Sequence, residues 1–398
     1  MMKYIKYLIF FAALLAVSCS VQHVDNKKFR IKTGAEQTEK YISLLQDKNI
    51  ALVANYTTNI NGTHLVDSLL SLNINIVKIF SPEHGFRGDA EAGEIVKSYV
   101  DDKTGLPVIS LYGNSKKPKL SDFEDIDIII FDLQDVGARF YTYISNMHYV
   151  MEACAETGVE LMILDRPNPN GFYVDGPILD TNYKSFIGMH PVPIVHGMTI
   201  GEFAQMINGE NWLKDSLKCK LSVIPCSNYT HDSLYKLPLN PSPNLQNMLS
   251  IYLYPSLGFF EGTYLSEGRG TEFPFQVFGG PDLKNADFAF IPKSIEGVSK
   301  YPKHKDQECF GVDLREINVN ELISKKEINL EWILFAYQNV EDQERFFNTY
   351  FYNICGTNEL KEQIIEGKSA EEIRKSWQPE LNNFKQTRKK YLLYKDFE

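Results

Sequence analysis

The stretch IIIFDLQDVGARFYTY, residues 128–143, decides the fold of this chain. It begins with four apolar residues in succession, Ile128 to Phe131, which are typical of a strand buried on both faces. A polar segment follows at once, and an apolar pattern of helical period then runs from about Phe140 to Glu156. A doubly buried strand that leads through a polar loop into a helix predicts a parallel sheet with helices on both faces.

Further strand-like and helical segments alternate on both sides of this stretch. Buried strands are predicted at residues 50–54, 76–80, 108–111, 160–164 and 221–224, and helices at 36–46, 63–72 and 199–207. From about Pro238 the alternation gives way to loops rich in Pro, Asn and Gly. We therefore predict an α/β chain, with a mostly parallel sheet domain at 36–237 and a smaller α+β domain at 238–398. The last helical pattern of that second domain is expected to break near Pro379.

The N-terminus has the pattern of an export signal. Lys3 and Lys6 precede an uninterrupted apolar run at residues 8–17, and small residues then lead into Cys19. A cysteine at this point resembles a lipobox, whose cysteine is acylated after cleavage. The pattern predicts a signal peptide at 1–18, a lipid anchor on Cys19, a polar tether at 20–35, and a periplasmic lipoprotein or a secreted protein. In the alternative interpretation the signal is purely secretory and Cys19 is incidental.

Composition narrows the classes of partner and of site. The formal net charge is −10, which argues against a nucleic-acid partner because such proteins need a basic face. Beyond the leader, five cysteines occur without a CxxC pair, so neither a zinc site nor a disulfide framework is indicated. Cys219 and Cys226 flank a short strand, and the sequence leaves open whether they pair.

Polar clusters follow four of the predicted strands directly. They are NYT at 55–57, SPEHGFRG at 81–88, DLQDVGAR at 132–139 and DRPNPNG at 165–171. Because the carboxyl ends of parallel strands lie at one edge of a sheet, where open α/β sheets bind ligands, we expect an active site at this edge. The candidate residues there are Asn55, Glu83, His84, Arg87, Asp132, Gln134, Asp135, Arg139, Tyr141, Asp165, Arg166 and Asn168.

The second domain contributes one dense polar stretch, FEGTYLSEGRGTEFPF at residues 260–275. Its three glutamates, Glu261, Glu267 and Glu272, are candidates for a second carboxylate facing the first domain, and Arg269 is a candidate ligand for an anion. A surface hairpin with solvated charges is the alternative.

Several common mechanisms lack their sequence signatures. The chain has no GxSxG, HExxH or Walker A motif, and no GxGxxG follows the first strand. The histidines at positions 64, 84, 148, 190 and 196 lack the close spacing of metal ligands, so we predict no metal site.

Taken together, the motifs SPEHGFRG, DLQDVGARFYTY, LDRPNPNG, GMTIGEFA, PSPNL and FEGTYLSEGRGTEFPF resemble those of the NamZ-like exo-β-N-acetylmuramidases. This is glycoside hydrolase family 171, also known as a YbbC-type family. The resemblance extends from about Lys40 to the C-terminus. It implies a Rossmann-like first domain, a smaller second domain and a cleft between them. It also implies release of N-acetylmuramic acid from the non-reducing end of peptidoglycan fragments, without an organic cofactor.

The resemblance assigns one role, and the residue types suggest the others. The family's proposed catalytic glutamate lies in the PEHG motif and corresponds to Glu83, which we expect to be the general acid. His84 is a candidate to assist Glu83 or bind substrate, and the alternative is a hydrogen bond to a loop carbonyl. Asp132, Gln134 and Asp135 are expected to orient sugar hydroxyls or supply a base, with one of the three instead holding Arg139 or capping the helix that begins near Phe140. An arginine, among Arg87, Arg139, Arg166 and Arg269, is expected to bind the lactyl carboxylate of the sugar. The remaining residues expected to line the sugar site are Asn55, Gln134, Tyr141, Asp165, Asn168, Glu267 and Glu272.

Two other classes of function are compatible with the sequence. The first is a lipoprotein that binds muropeptides or sugars without catalysis. The second is a metal-dependent hydrolase of another cell-wall bond.

Overall fold

The computed structural model describes residues 30–83, 85–88, 97–113 and 115–398. The predicted signal peptide, Cys19 and His84 therefore lie outside the described residues. Residues Met1–Ile31 and Lys32–Glu398 are two separate units, and the second contains both predicted domains in one compact body. Within the described ranges, no helix has the length and apolar character that a membrane crossing requires.

A seven-stranded sheet dominates the first half of the chain. In sheet order its strands are β5 (Tyr99–Val100), β6 (Pro107–Ser110), β4 (Ile76–Ser81), β1 (Ile50–Ala54), β7 (Ile128–Asp132), β8 (Glu160–Leu164) and β9 (Leu221–Ile224). All neighbouring pairs are parallel except β5 with β6. When the six parallel strands are numbered along the chain, their order across the sheet is 3-2-1-4-5-6, which is the Rossmann order. The predicted mostly parallel α/β fold is confirmed.

Helices cover both faces of this sheet, as the continuous apolar strands require. They are α1 (Ile42–Leu45), α2 (Leu65–Ser71), α3 (Tyr143–Thr157) and α4 (Ile200–Gly209). A short hairpin of β2 (Asn59–Ile60) and β3 (Thr63–His64) precedes α2. Every residue of β1 and β7 is buried, because both strands lie in the middle of the sheet between the two helical layers.

The second half of the chain contains a small antiparallel sheet and six helices. Its strands are β10 (Val277–Gly280), β11 (Phe288–Phe290) and β12 (Cys309–Asp313), with β12 in the centre. Its helices are α5 (Met248–Leu257), α6 (Val319–Lys325), α7 (Glu331–Asn339), α8 (Tyr350–Cys355), α9 (Glu359–Ile365) and α10 (Ala370–Lys389). Helix α10 runs through Pro379 without interruption, so the expected break is wrong. Burial of Ile373, Trp377 and Leu381 along one side holds the helix together across the proline.

The predicted tether at residues 20–35 needs correction at its C-terminal end. Lys32 forms a backbone bridge with Ser227, and the Gly34 amide donates to the Asp165 carbonyl at 2.7 Å. A Cβ atom at Gly34 would lie 2.3 Å from the Ile224 carbonyl oxygen, so only glycine allows this close approach. Ala35 is fully buried. Residues from Lys32 onward thus belong to the folded unit.

All five cysteines from Cys154 to Cys355 are free thiols, including Cys219 and Cys226. The thiol of Cys226 contacts the Asp165 carbonyl oxygen at 3.2 Å instead. The pairing that the sequence left open is therefore absent.

Candidate active site

A cavity of about 520 Å³ opens at the carboxyl-terminal edge of the parallel sheet, between the two halves of the chain. The first half contributes the loops after β4, β6 and β7 and the segment 185–187. The second half contributes residues 242–275 and helix α8. The lining residues are Glu83, Tyr112, Gly113, Lys116, Phe140, Tyr141, Thr142, Tyr143, Ser185, Phe186, Ile187, Ser242, Leu245, Tyr254, Glu261, Arg269, Phe275, Tyr350 and Asn353.

Glu83 enters this cavity from the loop that follows β4. Its carboxylate lies near the phenol of Tyr112, which comes from the loop after the neighbouring strand β6, and the two groups interact electrostatically. Burial raises the pKa of Tyr112, and the charge of Glu83 adds to the rise, so the phenol keeps its proton and remains a donor. The side chain of Glu83 is half-buried, as expected for a group that is held by the protein and still accessible to a ligand.

Glu261 enters the cavity from the opposite side, on the short 3₁₀ helix Gly258–Gly262. Nη2 of Arg269 lies 2.6 Å from Oε1 of Glu261, and Nε of Arg269 lies 3.0 Å from Oε1 of Glu267. Lys303 then binds Oε2 of Glu267 at 3.1 Å. This chain of alternating charges fixes the position of Glu261.

The charges of this chain also shift the two carboxyl groups in opposite directions. Burial raises the pKa of Glu261, and Glu267 adds to the rise, while Arg269 opposes it. Burial alone would raise the pKa of Glu267, but Lys303 and Arg269 together hold it below its usual value. Glu267 is therefore a permanent anion that anchors Arg269, whereas Glu261 is the carboxyl group that faces the cavity.

Aromatic rings form much of the remaining wall. The ring of Tyr254 meets Phe140 and Phe275 edge-to-face, with centroids 5.1 Å and 5.0 Å apart. Tyr141 and Tyr143 pack in the same way at 4.9 Å. Rigid aromatic walls with a few polar groups between them are typical of small-molecule sites. The cavity therefore combines two carboxyl groups on opposite sides with an aromatic surface between them.

Comparisons with known proteins agree with this arrangement. Residues 50–249 match the family model of the exo-beta-N-acetylmuramidase NamZ N-terminal domain, and residues 252–394 match that of its C-terminal domain. The chain belongs to the NamZ family.

A curated member, the peptidoglycan beta-N-acetylmuramidase NamZ of Bacillus subtilis, is 38% identical over 408 residues, which cover 97% of each chain. Two solved structures of DUF1343 family proteins from Bacteroides fragilis are also similar. One has a TM-score of 0.87 at 49% identity and covers 92% of this chain and 99% of its own. The other has a TM-score of 0.76 at 31% identity and covers 92% of this chain and 100% of its own.

Of the candidate residues, Glu83, Tyr141, Glu261 and Arg269 border the cavity. Asn55 lies directly behind it and donates to the phenol oxygen of Tyr143 at 2.7 Å. The hydroxyl of Tyr141 donates to the Pro241 carbonyl at 2.6 Å, which joins the first half of the chain to the PSPNL motif. These are the candidate residues that the fold brings to the site or directly behind it.

Asp132 and Arg166 require a correction, because they bind each other rather than a ligand. The Asp132 carboxylate is fully buried, and Nε and Nη2 of Arg166 donate to its two oxygens at 2.5 Å and 2.9 Å. Neither side chain borders the cavity. The pair joins the ends of β7 and β8, so it stabilises the sheet edge instead of acting on a substrate.

Asp165 has a similar structural position in this NamZ-family chain. Its carboxylate accepts hydrogen bonds from the Thr199 hydroxyl at 2.7 Å, the Gly201 amide at 2.8 Å and the Tyr394 hydroxyl at 2.5 Å. Burial raises its pKa to about 6. Asp165 thus connects β8, α4 and the C-terminal segment, away from the cavity.

The remaining polar residues of the two loops hold those loops to each other. Gln134 donates to the Pro167 carbonyl at 2.9 Å, and Asn168 donates to the Met198 carbonyl at 2.9 Å. Gly137 has a φ of 78°, and a Cβ atom there would lie 2.2 Å from Oδ1 of Asn168. Both the backbone conformation and the close contact therefore require glycine. Asp135 accepts from the Gly137 amide at 2.7 Å. The side chains of Asp135, Gln134 and Asn168 therefore lie outside the cavity lining.

Arg139 is fully buried and likewise has a structural role. It donates to the carbonyls of Pro177, Val192, Ile354 and Cys355 at 2.6–3.0 Å, which joins the first half of the chain to α8.

Arg87 and the two remaining glutamates also lie away from the cavity. Arg87 pairs with Asp101 at 3.0 Å. Glu272 is exposed, and Glu267 lies behind Arg269. The structure describes all four candidate arginines, and Arg269 is the one among them that borders the cavity.

Several lining residues were not identified from the sequence. Tyr112 and Lys116 lie in the loop LYGNSKKPK after the short strand β6, which is polar but contains no carboxylate or histidine, and Tyr254 and Tyr350 lie within apolar helical patterns. Glu261 was one of three candidate glutamates, and only the fold distinguishes it from Glu267 and Glu272. Among the residues that the structure describes, no three His, Cys, Asp or Glu side chains are grouped so that they would hold a metal ion.

Proposed function

We propose that this chain is an exo-acting β-N-acetylmuramidase that releases N-acetylmuramic acid from the non-reducing end of peptidoglycan fragments. The observation that carries the proposal is the pair of glutamates, Glu83 and Glu261, on opposite sides of one cavity in a chain of the NamZ family. Glycoside hydrolysis commonly uses two carboxyl groups that flank the scissile bond. A cavity of about 520 Å³ has a size that suits one terminal sugar.

In the proposed reaction, the bond between the anomeric carbon and the bridging oxygen breaks. Glu83 gives its proton to the departing oxygen, and water finally supplies a hydroxyl group to the anomeric carbon and a proton to restore Glu83. Glu261, held by Arg269, is the second carboxyl group and acts on the anomeric carbon as nucleophile or through water as base. Participation of the substrate's own acetamido group is a third route, and the anomer of the first product separates inversion from the other two.

The assignment of Glu83 is tested with the disaccharide N-acetylmuramyl-N-acetylglucosamine, followed by NMR. We expect Glu83→Gln to lower kcat by about a hundredfold or more, because this substrate has a poor leaving group that needs the proton. For an aryl glycoside of N-acetylmuramic acid, whose acidic phenol leaves without needing a proton, the same variant should show a smaller decrease in kcat. Glu261→Gln should lower kcat for both substrates.

Wild-type turnover of the disaccharide by Glu83→Gln would overturn its role as general acid. If the wild-type protein binds N-acetylmuramic acid in calorimetry but never cleaves the disaccharide, the chain is instead a non-catalytic binding protein. Activity that is lost in EDTA and restored by one divalent ion would indicate a metal-dependent hydrolase.

We also propose that the chain is exported and anchored by acylation of Cys19. The support is the order of Lys3 and Lys6, the apolar run at 8–17, and then Ser18 and Cys19. Cys19→Ser should move the protein from the membrane fraction to the soluble fraction and abolish labelling with a fatty acid analogue. Unchanged membrane association of this variant would contradict a lipid anchor on Cys19.

A further inference from the structure

Lys116 borders the cavity and is not used by the reaction proposed above. It lies in the loop after β6, and its ammonium group is 4.4 Å from the centroid of the Phe186 ring. Phe186 itself borders the cavity and stacks on Tyr149, with centroids 6.2 Å apart. A cation on the face of a packed aromatic ring keeps a defined position while its N–H groups remain available to a ligand.

The charges of the cavity wall distinguish Lys116 from Arg269. Arg269 is bound by Glu261 at 2.6 Å and by Glu267 at 3.0 Å, so its charge is neutralised inside the protein. Within the described part of the chain, by contrast, Lys116 takes part in no ion pair. Its neighbour Lys117 points elsewhere and binds Glu152 at 2.6 Å and Glu156 at 2.8 Å.

The sum of the charges around the cavity also indicates that Lys116 is available to bind an anion. Two carboxyl groups, Glu83 and Glu261, and two cations, Lys116 and Arg269, border it. When Glu83 holds the proton that it later transfers, one positive charge is left in excess. A ligand with a single negative charge would neutralise that excess, and the lactyl group of N-acetylmuramic acid carries one carboxylate.

We infer that Lys116, supported by Phe186, binds the lactyl carboxylate and is the residue that selects muramic acid over glucosamine. The inference rests on the proposed function. It replaces the expectation that an arginine has this task, because Arg87, Arg139 and Arg166 lie away from the cavity and Arg269 is already paired.

The distance along the chain is compatible with this role. Tyr112, which interacts with Glu83, and Lys116 belong to the same loop and are four residues apart, so their Cα atoms are at most about 14 Å apart. One sugar with its lactyl substituent fits within that reach. A single loop thereby contacts the proposed acid and recognises the acidic substituent.

The test compares two aryl glycosides, one of N-acetylmuramic acid and one of its lactyl methyl ester. For the wild-type protein we expect the ester to have a KM about tenfold or more above that of the free acid, because it removes a charge-assisted hydrogen bond. In Lys116→Met, KM for the free acid should rise by about the same factor, and KM for the ester should change little. The kcat for either compound should change by less than about threefold.

Lys117→Met is the matched control, since it removes the adjacent positive charge outside the cavity. It should leave the ratio of the two KM values unchanged. Lys116→Arg should recover most of the preference for the free acid, because it restores a cation at the same position.

Equal losses for the acid and the ester in Lys116→Met would overturn the inference, and so would an effect on kcat alone. Binding of N-acetylmuramic acid, measured by calorimetry, separates this result from failure of the proposed function. If the wild type has no hydrolytic activity, a tenfold weaker binding to Lys116→Met but not to Lys117→Met still supports the role of Lys116. Unchanged binding to Lys116→Met would reject it.

Discussion

At the scale of single residues, the sequence motifs contain two kinds of acidic group. Glu83 and Glu261 border the cavity, whereas Asp132, Asp135 and Asp165 are buried in the loops behind it. Asp132 and Asp165 accept hydrogen bonds from arginine or hydroxyl donors of other elements, and Asp135 accepts from the Gly137 amide of its own loop. Since a buried carboxylate without such donors is strongly destabilising, these partners explain why the loops are rich in polar residues.

Asp132→Asn tests the structural role of the first aspartate. The substitution leaves the buried guanidinium of Arg166 without its counter-charge, so we expect unfolding in urea to show a loss of about 3–5 kcal/mol. The folded fraction should keep its kcat at low temperature. Adding Arg166→Met to Asp132→Asn should recover part of the loss. A variant with full stability and no activity would instead restore the catalytic assignment of Asp132.

Asp135 predicts a specific dependence of stability on pH. Burial raises its pKa from the ordinary 3.8 to about 7, so between these values the native state binds more protons than the unfolded state. The stability from the neutral carboxyl group is therefore complete below about pH 4 and is lost as the pH rises through 7. His196, 3.9 Å away, acts in the opposite direction, because burial lowers its pKa to about 3.

Asp135→Asn isolates the first of these effects. The amide oxygen of the asparagine still accepts from the Gly137 amide, but the buried charge is absent. Relative to wild type, the variant should gain about 2 kcal/mol between pH 5 and pH 8 in urea titrations. A difference that is constant over this range would contradict the raised pKa of Asp135.

At the scale of elements, the GMTIGEFA motif is the start of a helix rather than part of the site. The Thr199 hydroxyl accepts from the Glu202 amide, and the Glu202 carboxylate accepts from the Thr199 amide at 2.9 Å, which is a capping box for α4. The same hydroxyl donates to Asp165 at 2.7 Å. One side chain thus begins a helix and attaches it to the end of β8.

Thr199→Ala should lower the free energy of unfolding by about 2 kcal/mol, because it removes both the cap and the hydrogen bond to Asp165. Ser369→Ala is the matched control, since Ser369 caps α10 with the same box but lies on the surface. That variant should lose only about 0.5–1 kcal/mol. Equal losses for the two variants in urea unfolding would show that the contact with Asp165 contributes nothing.

At the scale of the whole molecule, the two halves share one core and one cavity. The largest cluster of buried apolar residues extends from Ala51 in β1 to Phe384 in α10. Arg139 donates to backbone carbonyls of both halves, including that of Cys355 in the second half at 2.6 Å. Arg388 in α10 donates to the Gly197 carbonyl of the first half at 2.7 Å. The family models divide the chain between 249 and 252, yet residues Lys32–Glu398 form a single compact unit.

A fragment of residues 32–249 is therefore not expected to fold by itself. It would expose the apolar surface that the second half covers and would leave Arg139 without two of its acceptors, so we expect strong binding of the dye ANS and no cooperative thermal transition. The full chain 32–398 is the control and should unfold in one transition. A soluble fragment with a sharp transition would show that the halves are independent domains.

The sequence by itself determined the fold of the first half. Runs of four or five apolar residues such as Ile128–Phe131 have few alternatives to a doubly buried strand, and their alternation with helices fixes the parallel sheet and the edge at which the site lies. It also made Glu83 a candidate, because Glu83 follows β4 at that edge and lies in the PEHG motif that resembles the family's. These properties are local and periodic, so a single sequence contains them.

Only the tertiary structure decided which polar residues reach the cavity. Asp132 and Glu83 both follow parallel strands, but Arg166 binds Asp132 from the next strand, while Glu83 borders the cavity near the phenol of Tyr112. Glu261 and Lys116 became visible as site residues once the second half had closed over the sheet edge. Whether a charged side chain is paired or available depends on partners far away in the sequence, and those partners are fixed by three-dimensional packing alone.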